Sequence, residues 1–355
     1  MNRKITLISS AIIALASSIL IACVAQTTNT GTITAGPAVK TAADITTLKV
    51  VAAANDFLGT LDATQRGKVL FNFDDAAQKT KWSNLPTGIF QRNGLKLGEL
   101  SASQQTSLFT MLGSVLSVRG LQQISEVIDA DEVLKSTDGG GRLIFGRAEY
   151  YVSFLGAPSS TNAWSLQFGG HHMAINATVA GANIALTPSL TGGQPTTYTL
   201  NGKTVQPIIR EVEAGSKLVN ALDATQQKKA ILGSSFIDLV LGPGQDGKTL
   251  QPEGLPASEM TEAQKNLLLE LITTRVGILN DDDSAAEMTT IKANLEKTYF
   301  AWAGPITTGS AAYFRVTGPS LLIEFSPQSM GGNASNHVHS MLRDPTNDYG
   351  AAIIK

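Results

Sequence analysis

Leu61-Asp62-Ala63-Thr64-Gln65 recurs unchanged as Leu222-Asp223-Ala224-Thr225-Gln226. The match continues: Gly94-Leu95 followed by Leu100-Ser101-Ala102-Ser103-Gln104 corresponds to Gly254-Leu255 followed by Met260-Thr261-Glu262-Ala263-Gln264. Two well-separated matches in nearly one register argue for an internal duplication. In each copy Asp, Ser or Thr precedes a run with apolar residues at three-to-four spacing: Leu108, Met111, Leu112 and Val115 in the first, Leu267, Leu268, Leu271 and Ile272 in the second. Such runs are capped amphipathic helices. A further helix is expected over 120–134, with 285–298 as its counterpart. Beyond it, 151–158 resembles 299–305, and both lead into alternating, strand-like stretches. The fold expected is therefore α+β: two homologous halves, 46–208 and 209–355, each made of helices followed by an antiparallel β-hairpin or small sheet, packed about a pseudo-twofold axis.

Met1-Asn2-Arg3-Lys4 is basic and runs into the apolar segment 5–21. Four serines interrupt that segment, and it is shorter than the roughly 20 apolar residues of a membrane span, so 1–22 reads as an export signal. Cys23, the only cysteine, follows Leu20-Ile21-Ala22, the spacing of a bacterial lipobox. Its thiol is expected to be lipidated; a buried core thiol is the alternative. Residues 23–45, rich in Thr, Ala and Gly, read as a flexible tether. The mature protein is then lipid-anchored in the bacterial cell envelope, in contact with the membrane through its anchor. Val24 after the cysteine favours the outer membrane in a two-membrane cell. The remaining roughly 310 residues suffice for a proper core. Net charge is -2, and the basic residues are dispersed without interleaved aromatics. This is not the footprint of a nucleic-acid binder; small molecules or envelope components are the expected partners.

The four histidines form two pairs, His171-His172 after Gly169-Gly170 and His337-Val338-His339. Imidazole is the commonest ligand for a transition metal, so paired histidines in a His-poor chain are the leading candidate for chemistry. The repeat places them. Aligning 164–169 with 313–318 puts His171 and His172 on Ser320 and Leu321, inside a strand expected over 320–325. Aligning 183–187 with 336–340 puts His337 and His339 on Ile184 and Leu186, facing the core together, about 7 Å apart at Cα. His172 shares the core-facing side with Leu321, so His172, His337 and His339 are expected to converge if the hairpins meet about the twofold. A bulge at Gly169-Gly170 would add His171 as a fourth ligand or as a donor behind the ligands.

Three inward imidazoles suit Zn, Cu or Fe with one position left for water or a carboxylate. The bland alternative is a buried network in which the histidines only exchange hydrogen bonds. Glu324 lies on the strand face opposite Leu321 and Ile323, where solvent is the simpler expectation. Asp344 could orient an imidazole or cap a turn. Arg343 could grip an anionic substrate or lie on the surface. No Gly-x-Ser-x-Gly elbow exists for nucleophilic catalysis. The segment 242–249 has Walker-like spacing, but no buried strand enters it and Pro252 blocks a following helix. Trp82, Tyr150, Tyr151, Trp164 and Trp302 could line a pocket; the core is their expected place.

With Trp82-Ser83-Asn84-Leu85-Pro86, Phe168-Gly169-Gly170-His171-His172, Gly242-Pro243-Gly244-Gln245-Asp246-Gly247 and the segment from His337 to Asp348-Tyr349-Gly350 together, the chain resembles the bacterial family of domains of unknown function numbered 3500, over about residues 48–350. The resemblance implies export and marks the two histidine segments as the family's distinctive polar motifs; it implies no activity. The leading functional expectation is a metal-dependent enzyme, a hydrolase in its simplest form and an oxidoreductase in its second. The competing class is a non-catalytic envelope protein that binds a metal or small ligand.

Overall fold

The computed structural model describes residues 33–355 apart from Gly139 and Gly331. The basic N-terminus, the apolar segment and Cys23 lie outside the described residues. Within them the chain is α+β, with nine α-helices and one large mixed sheet. The recurrent pentapeptides are helix starts. After α1 (Ile45–Gly59), Asp62 caps α2 (Ala63–Val69): its carboxylate accepts from the Gln65 N–H while the Gln65 side chain accepts from the Asp62 N–H. The short α3 (Ala76–Lys79) follows, then α4 (Ala102–Val115), capped by Ser101, and α5 (Val118–Asp138). Later, α6 (Ile209–Asn220) precedes α7 (Ala224–Ala230), boxed by Asp223 and Gln226; α8 (Glu262–Val276), capped by Thr261, precedes α9 (Asp281–Ala293). Such boxes satisfy donors that a helix start would otherwise leave unpaired. The glutamines also join elements. The Gln65 and Gln104 amides bond reciprocally, and Gln104 donates to Thr60 O; Gln226, Gln264 and Ala221 O repeat the arrangement.

The strands of the first part of the chain are β1 (Leu70–Phe71), β2 (Leu95–Lys96), β3 (Tyr151–Leu155), β4 (Trp164–Gly170), β5 (Met173–Ala180), β6 (Asn183–Ala185) and β7 (Ser189–Gly193). A separate hairpin, β8 (Tyr198–Leu200) and β9 (Lys203–Val205), follows. The second part adds β10 (Ile231–Gly233), β11 (Leu255–Pro256), β12 (Tyr299–Ala303), β13 (Tyr313–Gly318), β14 (Leu321–Pro327) and β15 (Val338–Arg343). The thirteen-stranded sheet runs β1-β3-β4-β5-β7-β15-β14-β13-β12-β10. Its outer pairs, β1/β3 and β10/β12, are parallel, and its central pair, β7/β15, is antiparallel. β2 and β11 pair antiparallel with β3 and β12, and β6 with β5.

Two strand assignments change. Tyr151 stands opposite Gly169, whereas Tyr299 stands opposite Thr317, one residue away from the expected alignment. The shift removes His172 from a strand: Gly170 pairs with Met173, and His171-His172 form the two-residue turn between β4 and β5. β15 pairs with β7, and 183–185 forms the short β6 alongside β5. His339 stands opposite Ser326 as Ala185 stands opposite Thr178 at the equivalent place of the β4–β5 hairpin, one residue from the Leu186 expected.

The helices other than the short α3 pack on one sheet face over the main core, which includes Phe57, Met111, Ile124, Phe154, Phe168, Ile175, Leu271, Phe314 and Ile323; α3 lies on the other face, where Gln78 bonds Ser153 and Gln167. Strand alternation sends Val338 and Leu342 of β15 into that core and Met341 to the other face, where Trp82, Ala174, Leu190 and Met341 form a second cluster against Leu239 and Tyr349. His339, two residues from Met341, belongs to that second face by the same period, contrary to the core-facing expectation. Coil segments from the 80s and 230s cover it, so residues expected at solvent are buried. Glu324 is fully buried and accepts from the Val240 and Leu241 N–H groups and the Tyr313 hydroxyl. Arg343 is buried too; it donates to Leu241 O and Gly242 O and pairs with Asp246 and Asp348. The distal part of the expected tether is also held: Thr34 N–H donates to Asn72 Oδ1, Val39 N–H to Thr161 O, and Pro37 O accepts from Ala163 N–H. Small side chains let this segment lie against the domain and use its backbone as the partner. Trp82, Tyr150, Tyr151, Trp164 and Trp302 are all buried.

Candidate metal centre

The β4–β5 turn is held from three directions. Tyr150 Oη donates to His171 O at 2.8 Å, Arg92 Nη2 to Gly170 O at 2.9 Å, and His172 N–H to Asn84 O at 3.1 Å. Gly170 is needed because a Cβ there would stand 2.7 Å from the Tyr150 ring. The two-residue turn sets His172 at φ 59°, left-handed backbone that a non-glycine residue enters at a cost.

Across the central seam His339 pairs with Gly192 of β7. A Cβ on Gly192 would lie 2.5 Å from Val338 O, 3.1 Å from His339 Cδ2 and 3.3 Å from His172 Cδ2. This bare position is what lets two imidazoles pack over the seam. His172, His337 and His339 come together there, with one candidate ligand nitrogen from each lying within 4.8 Å of the others. Ring centroids are 4.8 Å apart for His172 and His337, and 5.1 Å for each of the other two pairs.

The closest contact is between His172 Nε2 and His337 Nε2, 2.9 Å. His337 Nδ1 is 2.7 Å from Met330 O, a carbonyl that can only accept. That contact fixes the His337 proton on Nδ1 and leaves the Nε2 lone pair aimed at His172. The Asn84 amide stands over His339, its Nδ2 3.1 Å from Nε2. Burial, followed by the neighbouring imidazoles, holds His172 and His339 well below the usual imidazole range. Burial lowers His337 as well. All three are neutral near pH 7, the state in which imidazole binds a metal.

His171 plays a different part. Its Nδ1 is 2.7 Å from Asp131 Oδ1, and its ring lies against His172, tilted by 34° with centroids 3.7 Å apart, flanked by Phe145. Asp131 is buried on α5, and its second oxygen accepts from Gly146 N–H. Of the other candidates, Glu324 and Arg343 are occupied in pinning the 240–246 segment. Asp344 accepts from the Thr346 N–H and hydroxyl, the turn-capping alternative. The 242–249 segment supplies carbonyls to Arg343 and leads into no helix.

The partners not anticipated from sequence are Asp131, Asn84, Gly192 and the Met330 carbonyl. Asp131 did leave a signal: it falls at a core position of α5, in step with Ile124, Val127, Ile128 and Leu134. A carboxylate at such a position requires a buried partner.

The family described as "Protein of unknown function (DUF3500)" matches residues 43–351. The chain belongs to this family. Both histidine segments, Asp131 and Asn84 fall within the DUF3500 match. No curated protein and no solved structure matches the chain.

Proposed function

We propose that His172, His337 and His339 hold one transition-metal ion, zinc, copper or iron, and that the protein is a metal-dependent hydrolase anchored in the bacterial cell envelope. The observation that carries the reading is the His172–His337 contact. Two ligands at about 2.0–2.1 Å from one tetrahedral ion stand about 3.3 Å apart, close to the 2.9 Å between these Nε2 atoms. The Met330 carbonyl behind His337 is the outer partner that a ligating imidazole ordinarily has. Three neutral imidazoles leave one tetrahedral position for water.

When bound, such an ion brings the pKa of its water toward about 7. The chain's own contribution is His171. Asp131 sets the proton on His171 Nδ1 and leaves Nε2 as the basic atom, the arrangement of a general base held beside the centre. A non-catalytic metal-binding role is the second reading; it is favoured by the near-complete burial of the ligands, 2–7% exposed. Cobalt substitution separates the two. If the fourth position is open, azide will shift the visible spectrum of the Co(II) protein, and His171→Ala will leave that shift intact while abolishing turnover on an ester panel. A spectrum indifferent to azide assigns the site to storage or structure.

The anchoring rests on the Cys23 lipobox and the basic, apolar leader. We further read the chain as two related halves, 46–208 and 209–355, about a pseudo-twofold at the β7/β15 seam. The matched caps, reciprocal glutamine pairs and parallel outer strand pairs support that reading.

A further inference from the structure

Four arginines are buried among the described residues, and three have a carboxylate within reach: Arg275 faces Glu211 at 3.9 Å, Arg315 faces Glu253 at 2.6 Å, and Arg343 faces Asp246 and Asp348 at 3.2 and 2.8 Å. Arg92, 6% exposed, has none. Its Nη2 donates to the carbonyls of Ser83, Leu85 and Gly170, and its buried Nη1 has no protein partner. Burial lowers its pKa to about 10, so it remains charged at pH 7. An unpaired buried charge is costly, which is why such groups normally carry counter-ions.

Arg92 lines a half-open cavity of about 30 Å³ on the loop-covered face of the sheet, room for the head group of a ligand whose remainder lies outside. The cavity wall contains two cations, Arg92 and Lys81, and no carboxylate. Much of the rest is amide, and the amides satisfy one another: Gln78 donates to Gln167, Asn93 to Gln78, Gln167 to Asn176, and Asn176 to Pro188 O. That chain makes a stiff wall with its acceptors used. Lys81 spends one contact on Asn93 Oδ1 and keeps two donors. What remains unmatched is positive charge and N–H donors.

We propose that this cavity is an oxyanion-binding site, in which Arg92 Nη1 and Lys81 Nζ receive the carboxylate or phosphate group of a small molecule. Arg92 and Lys81 both line this cavity, and a guanidinium and an ammonium are the donors such groups need. The site stands independently of any metal, although its walls adjoin the histidines: Ser83 precedes Asn84, and Gly170 precedes His171.

The test uses the full-length protein treated with a chelator, so that metal plays no part. Inorganic phosphate and acetate are titrated separately at constant ionic strength, with chloride as the control, and the melting temperature is followed. A ligand bound only by the folded state raises it in a concentration-dependent way. We expect phosphate or acetate to do so, and Lys81→Gln, at a half-buried position, to weaken the apparent affinity on the order of tenfold. Arg92→Lys should abolish the response; if that variant does not fold, Lys81→Gln alone decides. A response by acetate alone or phosphate alone assigns the group. Melting that follows chloride for both anions, or is unaltered in Lys81→Gln, overturns the proposal.

Discussion

His172 carries both the strain and the chemistry of the centre. Left-handed backbone costs a non-glycine residue about 1–2 kcal/mol, and asparagine tolerates it better than histidine. His172→Asn is therefore expected to leave the melting temperature of the metal-free protein unchanged or higher. Its metal affinity should fall by more than the roughly 100-fold that loss of an outer hydrogen-bond partner causes, measured by competition with a chromogenic chelator. Gly192→Ala sets a methyl against Val338 O and two imidazoles, and should cost about 1–3 kcal/mol in denaturant unfolding. The histidines also fix a pH dependence. Their folded pKa values lie below the unfolded value near 6.5, so the unfolded chain binds more protons as the pH falls through that value. Stability of the metal-free protein should hold above pH 6.5 and decline below it. Urea midpoints between pH 7.5 and 5 measure this, and the slope should flatten in His172→Asn.

At the scale of elements, the helix starts were legible because capping is local: Asp62 with Gln65 and Asp223 with Gln226 sit three residues apart in sequence. Asp62→Ala and Asp223→Ala should each cost about 1 kcal/mol, read from chemical unfolding. Strand register was less legible. The Gly169-Gly170-His171-His172 run fits a strand, a bulge or a turn, and the choice is made by Tyr150, Arg92 and Asn84, which approach from distant positions. Alternation did place Glu324 off the helical core. Whether that face met solvent or a covering segment depended on 234–254, which has little regular periodicity, and there the expectation of a solvated carboxylate failed. The convergence of His172, His337 and His339 was anticipated from the repeat, although His172 reaches it from the β4–β5 turn rather than from a strand.

At the scale of the whole molecule, the candidate centre lies across the β7/β15 seam, the one place where the sheet's two series of strands meet. His172 comes from one side, and His337 and His339 from the other. Neither 46–208 nor 209–355 expressed alone should bind metal tightly, and mixing the refolded pieces should recover binding only if they reassociate; tight binding by either piece would refute a shared site. If Cys23 is the anchor, Cys23→Ser will move the protein from the membrane pellet to the soluble fraction without altering its metal content. Metal per chain in the protein reconstituted with zinc, copper or iron and freed of loosely held ions is the most direct test. We expect one ion per chain in the wild type and none in His172→Asn or His337→Gln. A wild type that retains no stoichiometric transition metal, or variants that keep the full complement, would contradict the assignment.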